Sequence, residues 1–189
     1  MKPRAALVND APAGWLSDAQ ALPSPNFDAR PPGVTIDLLV IHAISLPPGQ
    51  FGGPYIEQLF TNRLVAEAHP SFADILTLRV SAHFLITRDG HLTQFVDIHA
   101  RAWHAGVSSW QGRERCNDFS IGVELEGCDE LPFDERQYAR LVTLTEELFR
   151  RFPALNAAHM VGHSDIAPNR KSDPGPHFDW PRVRAALPR

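Results

Sequence analysis

The stretch TIDLLVIHAIS, residues 35–45, decides the fold. Ile36, Leu38, Leu39, Val40 and Ile41 form an apolar, partly β-branched run without alternation, which predicts a strand buried on both faces. His42 stands where the run ends. In open α/β sheets, ligand sites gather at the C-terminal ends of strands, so an ionisable ring there is a candidate for chemistry. The next stretch, SLPPGQFGGPY (45–55), is too rich in Pro and Gly for regular structure. It predicts a loop, followed by a short helix from about Pro54 to Asn62 with Pro in its first turn.

Outward from this strand the other elements follow. VSAHFLITRDGHLTQFVD (80–97) predicts a β-hairpin around Arg88-Asp89-Gly90, because Asp-Gly is a strong hairpin signal. SIGVELEG (120–127) predicts a strand on which Glu124 and Glu126 share one face, opposite Ile121, Val123 and Leu125. DERQYARLVTLTEELFRRF (134–152) predicts an amphipathic helix. Tyr138, Leu141, Val142, Thr145, Leu148, Phe149 and Phe152 form its buried stripe, and Asp134 is its N-cap. AAHMVGH (157–163) reads as a short strand and FDWPRVRAAL (178–187) as a last short helix. Residues 1–33, rich in Pro and polar residues, read as an extended N-terminal segment packed on a domain of residues 34–189. Strands interleaved with helices define a single α/β domain, a central mixed β-sheet flanked by helices.

The whole chain excludes several classes of function. A net charge of −4 over 189 residues gives no footprint for nucleic acid. No segment approaches the roughly 20 apolar residues of a membrane span. The apolar run near the N-terminus stops at Asn9-Asp10, too early for an export signal. Cys116 and Cys128 form no metal-knuckle spacing and read as free thiols of a reducing compartment. The expectation is a cytoplasmic, monomeric protein that binds neither membrane nor nucleic acid.

Function must then come from a local site. GHSDIAPNRKSDPGP (162–176) concentrates ionisable groups on a loop full of turn-formers. His163 and Asp173 lie ten residues apart, and the turns at Pro168, Asn169 and Pro174 can fold them together. A catalytic zinc takes three N or O ligands and keeps one position open, and His42 can supply the third. Glu124 or its neighbour Glu126 is a candidate general base. Lys171 can face a developing oxyanion. Composition cannot choose among nine histidines. His83 reads as a packed core residue. His104, in Trp103-His104-Ala105-Gly106, is either a pocket residue that contacts substrate or a satisfied histidine beside Trp103. His69, His91, His99, His159 and His177 read as structural or surface residues.

A resemblance does choose. VIHAISLPPGQFGGPYI, LRVSAHFLITRDG, RAWHAGVSSWQGRERCNDFSIGVELEG and GHSDIAPNRKSDPGPHFDW occur in order over roughly residues 36–181. They resemble the zinc N-acetylmuramoyl-L-alanine amidases, the family that includes the peptidoglycan-recognition proteins. The resemblance is strongest to the AmpD-type branch, which acts on 1,6-anhydro muropeptides in cell-wall recycling. It implies one Zn2+ per chain held by His42, His163 and Asp173. It implies Glu124, in I-G-x-E-L-E-G, as the catalytic carboxylate, and Lys171 as the catalytic lysine. It places Arg79 and Arg115 where the family binds stem-peptide carboxylates, a task suited to the planar guanidinium fork. One position departs from the family pattern: Ala43 stands where an Asn is expected after the first histidine, and its side chain cannot hydrogen-bond substrate.

The implied activity is hydrolysis of the amide between the lactyl group of (1,6-anhydro)-N-acetylmuramic acid and L-alanine, with a small soluble anhydromuropeptide as substrate. Two rivals stand beside it. A binding module without activity would be expected to lack a metal ligand, and here all three candidates are present. A metallopeptidase of another class might carry H-E-x-x-H, and the chain has none.

Overall fold

A computed structural model describes residues 13–188 of the chain. The elements in order are β1 (Gln20–Ala21), β2 (Phe27–Asp28), β3 (Leu38–Ile44), α1 (Tyr55–Phe60), β4 (Phe84–Ile86), β5 (Leu92–Gln94), β6 (Arg101–Ala102), β7 (Ser109–Trp110), β8 (Arg113–Glu114), β9 (Ser120–Glu126), α2 (Glu135–Arg151), β10 (Met160–Gly162), α3 (His163–Ile166) and α4 (Trp180–Ala186). The main sheet has the order β1-β5-β4-β9-β3-β10. It is mixed: β4, β9, β3 and β10 run parallel as neighbours, while β5 pairs antiparallel with β4. The chain is an α/β domain built on this six-stranded sheet, with flanking helices and two small two-stranded sheets, β2-β6 and β7-β8.

The apolar run of residues 36–41 forms most of β3, an interior strand between β9 and the edge strand β10. Leu38, Leu39, Val40 and Ile41 are all fully buried. Leu39 and Ile41 join Ile121, Val123 and Leu125 of β9 beneath α2 and α4. Leu38 and Val40 point the other way, toward Ala105, Cys116 and Ile166. The two faces of β3 therefore do different work, and the face away from α2 carries His42. Helix α2 begins at Asp134 with a capping box, in which the Asp134 carboxylate accepts from the Arg136 amide and the Gln137 side chain from the Asp134 amide. Its buried stripe includes Leu144, which the periodicity reading left out, whereas Val142, Phe149 and Phe152 are only partly covered.

Three local expectations change. The hairpin strands are only three residues long each. His83 therefore precedes β4, held by Gly122 N–H donating to its Nδ1 at 3.0 Å. Residues 157–159 form a 3-10 turn capped by Asn156, which leaves Met160–Gly162 as the strand. The loop-like stretch 162–176 opens with one helical turn, α3, because Asp165 accepts from Gly162 N–H at 2.7 Å and caps it. Side-chain capping of this kind is local and overrides the period of the flanking strand.

The described part of the N-terminal segment, residues 13–33, lies along the domain. It adds β1 in parallel beside β5 and pairs β2 with β6. Its first twelve residues lie outside the described part.

Candidate active site

Register brings the chemistry together. In β3 and β9, His42 is directly paired with Glu124. On the other flank of β3, Gly162 is paired with Ile41, so His163 follows one step beyond, beside His42. Paired residues of neighbouring parallel strands present their side chains to the same face. Glu124, His42 and His163 thus form one row at the C-terminal ends of three adjacent parallel strands, on the face away from α2.

Asp173 closes the group. The loop after α3 returns so that Ser164 N–H donates to Asp173 O at 3.0 Å, while Ala167 O accepts the Arg170 and Lys171 amides. Asp173 Oδ2 then lies 3.1 Å from both His42 Nδ1 and His163 Nδ1, and the two Nδ1 atoms are 3.0 Å apart. Tetrahedral zinc with bonds of about 2.0–2.1 Å holds its ligand atoms about 3.3 Å apart. The triangle is within a few tenths of an ångström of that spacing, and its two-nitrogen, one-oxygen donor set suits a divalent metal with one position open. Burial lowers the His42 pKa to about 4, against the opposing pull of Asp173. Burial pushes the Asp173 carboxyl up, but the His163 and His42 rings, each 3.1 Å from it, outweigh burial and hold the group well below the usual range. His42 is therefore disposed to be neutral and Asp173 ionised, the states in which each binds metal.

The outer ring nitrogens are occupied. His163 Nε2 donates to Ala105 O at 3.1 Å. His42 Nε2 lies 2.9 Å from His104 Nδ1, and His104 Nε2 lies 3.1 Å from Ser120 Oγ. With His42 Nδ1 facing the triangle, its Nε2 carries the proton and His104 Nδ1 accepts it. Such partners fix the tautomer and aim of a metal-binding histidine. His104 has room because residue 122 is glycine: a Cβ there would sit 2.5 Å from the His104 ring.

The two glutamates of β9 differ sharply. Glu126 is occupied, accepting the Gly52 amide at 2.5 Å and the Arg88 amide at 3.0 Å. It ties down the loop after β3 and the hairpin turn. Glu124 is 9% exposed, and its Oε2 is buried without a hydrogen-bond partner. Burial and then the Asp173 carboxylate push its pKa well above the ordinary value, while Lys171 opposes them. Glu124, His42, His163, Asp173 and Lys171 all line one cleft of about 210 Å³, with Trp103 and His104 in its wall.

The arginines lie farther out. Arg79 is exposed, between the cleft-lining Leu78 and Val80, and its guanidinium donates to the Leu76 and Leu78 carbonyls. Arg115 has a left-handed backbone (φ 60°) and an ion pair with Asp118 at 3.2 Å, and lines a neighbouring groove of about 530 Å³. Arg170, which the sequence reading did not single out, also lines that groove and donates to the Ala105 and Val107 carbonyls at 2.7 Å. Ala105 O is the carbonyl that orients His163, so Arg170 steadies the same ligand. Its adjacency to Lys171 was the one available signal.

A metal-sized triangle of two histidines and an aspartate, beside an unpaired buried carboxylate and a lysine, is the equipment of a metal-dependent hydrolase. The family model described as N-acetylmuramoyl-L-alanine amidase matches residues 32–176. The 1,6-anhydro-N-acetylmuramyl-L-alanine amidase AmpD of Citrobacter freundii is 59% identical over 174 residues, 92% of each chain. AmpD of Escherichia coli K12 is 57% identical over 174 residues, 92% of this chain and 94% of its own. The crystal structure of a selenomethionine AmpD derivative superposes with a TM-score of 0.91 at 57% identity, covering 94% of this chain and 98% of that one. A complex of Escherichia coli AmiD with the substrate anhydro-N-acetylmuramic acid-L-Ala-D-γ-Glu-L-Lys aligns with a TM-score of 0.61 at 28% identity, covering 83% and 60%. The chain belongs to the N-acetylmuramoyl-L-alanine amidase family.

Proposed function

We propose that this chain hydrolyses the amide between the lactyl group of 1,6-anhydro-N-acetylmuramic acid and L-alanine, with one zinc ion held by His42, His163 and Asp173. The observation that carries the reading is the row of Glu124, His42 and His163, closed by Asp173 into a triangle of 3.0–3.1 Å sides. Zinc, when bound, supplies a Lewis acid that activates water and polarises a carbonyl.

The chain's own groups divide the remaining work. Glu124 Oε takes a proton from the attacking water and delivers it to the departing alanine nitrogen. A carboxylate with a raised pKa is suited to both transfers. Water adds to the lactyl carbonyl carbon, the C–N bond breaks, and the products are a free lactyl carboxylate and a free peptide amine. The Lys171 ammonium stabilises the carbonyl oxygen while it is negative. Arg79, next to the cleft-lining Leu78 and Val80, and Arg115, on the neighbouring groove, bind carboxylates of the stem peptide in this reading. His104 acts at the same site from behind His42.

The enzyme works in the cytoplasm as a monomer on soluble muropeptides, with no membrane or nucleic-acid partner. Both cysteines are free, which suits a reducing compartment. Every group of the site comes from one chain, so a single copy suffices. Among the described residues no helix is long and apolar enough to cross a membrane.

Metal removal tests the proposal. Chelated protein should lose cleavage of anhydromuramoyl-tripeptide and regain it with one equivalent of Zn2+. Plain peptides of the same sequence should stay intact throughout. Cleavage that survives complete chelation would overturn the zinc assignment, and equal cleavage of plain peptides would overturn the substrate.

A further inference from the structure

The stretch Ser24-Pro25-Asn26-Phe27-Asp28-Ala29-Arg30 inverts the usual strand pattern. Ser24, Asn26, Asp28 and Arg30 are buried or half-buried, while Pro25, Phe27 and Ala29 are exposed. In extended chain, alternate residues share one face, so this segment turns its polar side chains inward. Their targets are backbone and side-chain groups behind the cleft. Ser24 Oγ donates to Phe60 O. The Asn26 amide donates to Val80 O at 2.8 Å and Phe60 O at 3.3 Å, while Asn26 O accepts from Ser81 Oγ at 2.7 Å. Asp28 Oδ1 accepts the Trp103 indole N–H at 3.2 Å. Phe60, Val80, Ser81 and Trp103 all line the cleft that holds the metal triangle. Arg30 continues the row, donating to Asn117 O, Asp118 O and Ser120 O at 2.8–2.9 Å. Asn117 in turn accepts the His104 and Ala105 amides.

We infer that residues 24–30 are a brace that sets the shape of the substrate cleft, with Asn26 and Asp28 as positioning residues for the wall formed by Phe60, Val80 and Trp103. The inference rests on the reading of this cleft as the muropeptide site. The brace lies before residue 32, where the match to the family model begins. The wall it holds, Phe60, Val80, Ser81 and Trp103, lies inside that match, so the brace acts on the matched core from outside it. The side-chain partners of Asn26 and Asp28 are wall groups rather than metal ligands, so the effect of changing these two residues falls on substrate binding and leaves the metal alone.

Asp28 gives the sharpest test, because it has two roles that substitution separates. It also pairs with Arg101, which keeps a second partner in Asp118 at 2.7 Å. Asp28→Ala removes both the ion pair and the acceptor for Trp103. Asp28→Asn removes the charge but keeps an oxygen for the indole. KM and kcat for anhydromuramoyl-tripeptide, and zinc affinity by chelator competition, are measured on the native protein and both variants. Loss of one positioning hydrogen bond should raise KM about three- to tenfold in Asp28→Ala, with kcat and zinc affinity unchanged. Asp28→Asn should stay near native. Asn26→Asp, which keeps the volume but loses the donors to Phe60 and Val80, should raise KM in the same way. An unchanged KM in folded Asp28→Ala overturns the inference, as does an equal rise in Asp28→Asn, which would assign the effect to the ion pair. Zinc affinity falling in step with KM overturns it too, because the segment would then act on the whole fold. A native protein that leaves the muropeptide intact sinks the functional reading itself, and the brace with it.

Discussion

Glu124 and Glu126 are two residues apart on one strand face, yet their surroundings give them different work. Glu126 satisfies two loop amides, whereas Glu124 keeps a buried oxygen free in the cleft. Glu126→Ala should therefore cost about 1–3 kcal/mol, the penalty for stranding buried partners. Denaturant unfolding would show that loss, while the folded variant keeps most of its turnover. His104 leads to a prediction about the metal. His104→Phe removes the acceptor behind His42 and should weaken zinc binding about 10–100-fold, the usual effect of losing such a partner. His104→Asn, whose amide oxygen can stand near the position of Nδ1, should recover most of it. Chelator competition measures both. At this scale the sequence was partly legible. His42, His163, Asp173 and Lys171 lie in contiguous motifs that point to them, and the structure gathers them at one cleft. Periodicity could not separate Glu124 from Glu126, because the difference lies in the loops each one meets. The place of His104 was equally hidden, since nothing local says that it reaches back to a strand 62 residues away.

At the scale of elements, the site depends on three parallel strands ending in register. The strand reading found β3 and β9, because buried parallel strands are long and apolar. It overextended the hairpin and the segment before β10, where side-chain caps and tight turns end regular structure. It also passed over Gly122, which looks like an ordinary strand glycine until the ring across it is seen. Gly122 sits two residues before Glu124, and His104 occupies the space its side chain would take. Gly122→Ala should push the ring away from His42. The expected result is a loss of about 1–3 kcal/mol from overpacking, together with weaker zinc binding, as in His104→Phe. Unfolding and chelator competition on the same preparation check both. A destabilised variant with native zinc affinity would show that the ring is held by something other than this gap.

Across the whole molecule, buried histidines tie stability to pH. Burial, with Arg30 beside the ring, lowers the His83 pKa to about 3, and burial holds His42 at about 4. An unfolded histidine titrates near 6.5. Between the folded and unfolded values the unfolded chain binds more protons, so stability rises with pH across that window. The histidine contribution is fully present above about pH 6.5 and is lost as the pH falls toward 4. Glu124 opposes it: its raised folded pKa favours the protonated folded state and gives stability that fades as the pH rises. His83 lies outside the triangle and isolates the first effect. His83→Asn keeps an acceptor for the Gly122 amide but does not titrate. The metal-free variant should show a stability–pH slope flatter than native by up to about 1.4 kcal/mol per unit between pH 4 and 6.5. Urea unfolding across that range measures it. An unchanged slope would mean that His83 is already protonated in the folded chain.

The central claim is that the triangle of His42, His163 and Asp173 and the free carboxylate of Glu124 form one hydrolytic centre. Its most direct test measures zinc per chain and peptide released from anhydromuramoyl-tripeptide, for the native protein and Glu124→Gln side by side. The account predicts one zinc in each, with turnover falling at least about 100-fold in the variant, the usual loss when a general base is removed. Near-native turnover by zinc-loaded Glu124→Gln would contradict it, as would native protein that cleaves the substrate without binding zinc.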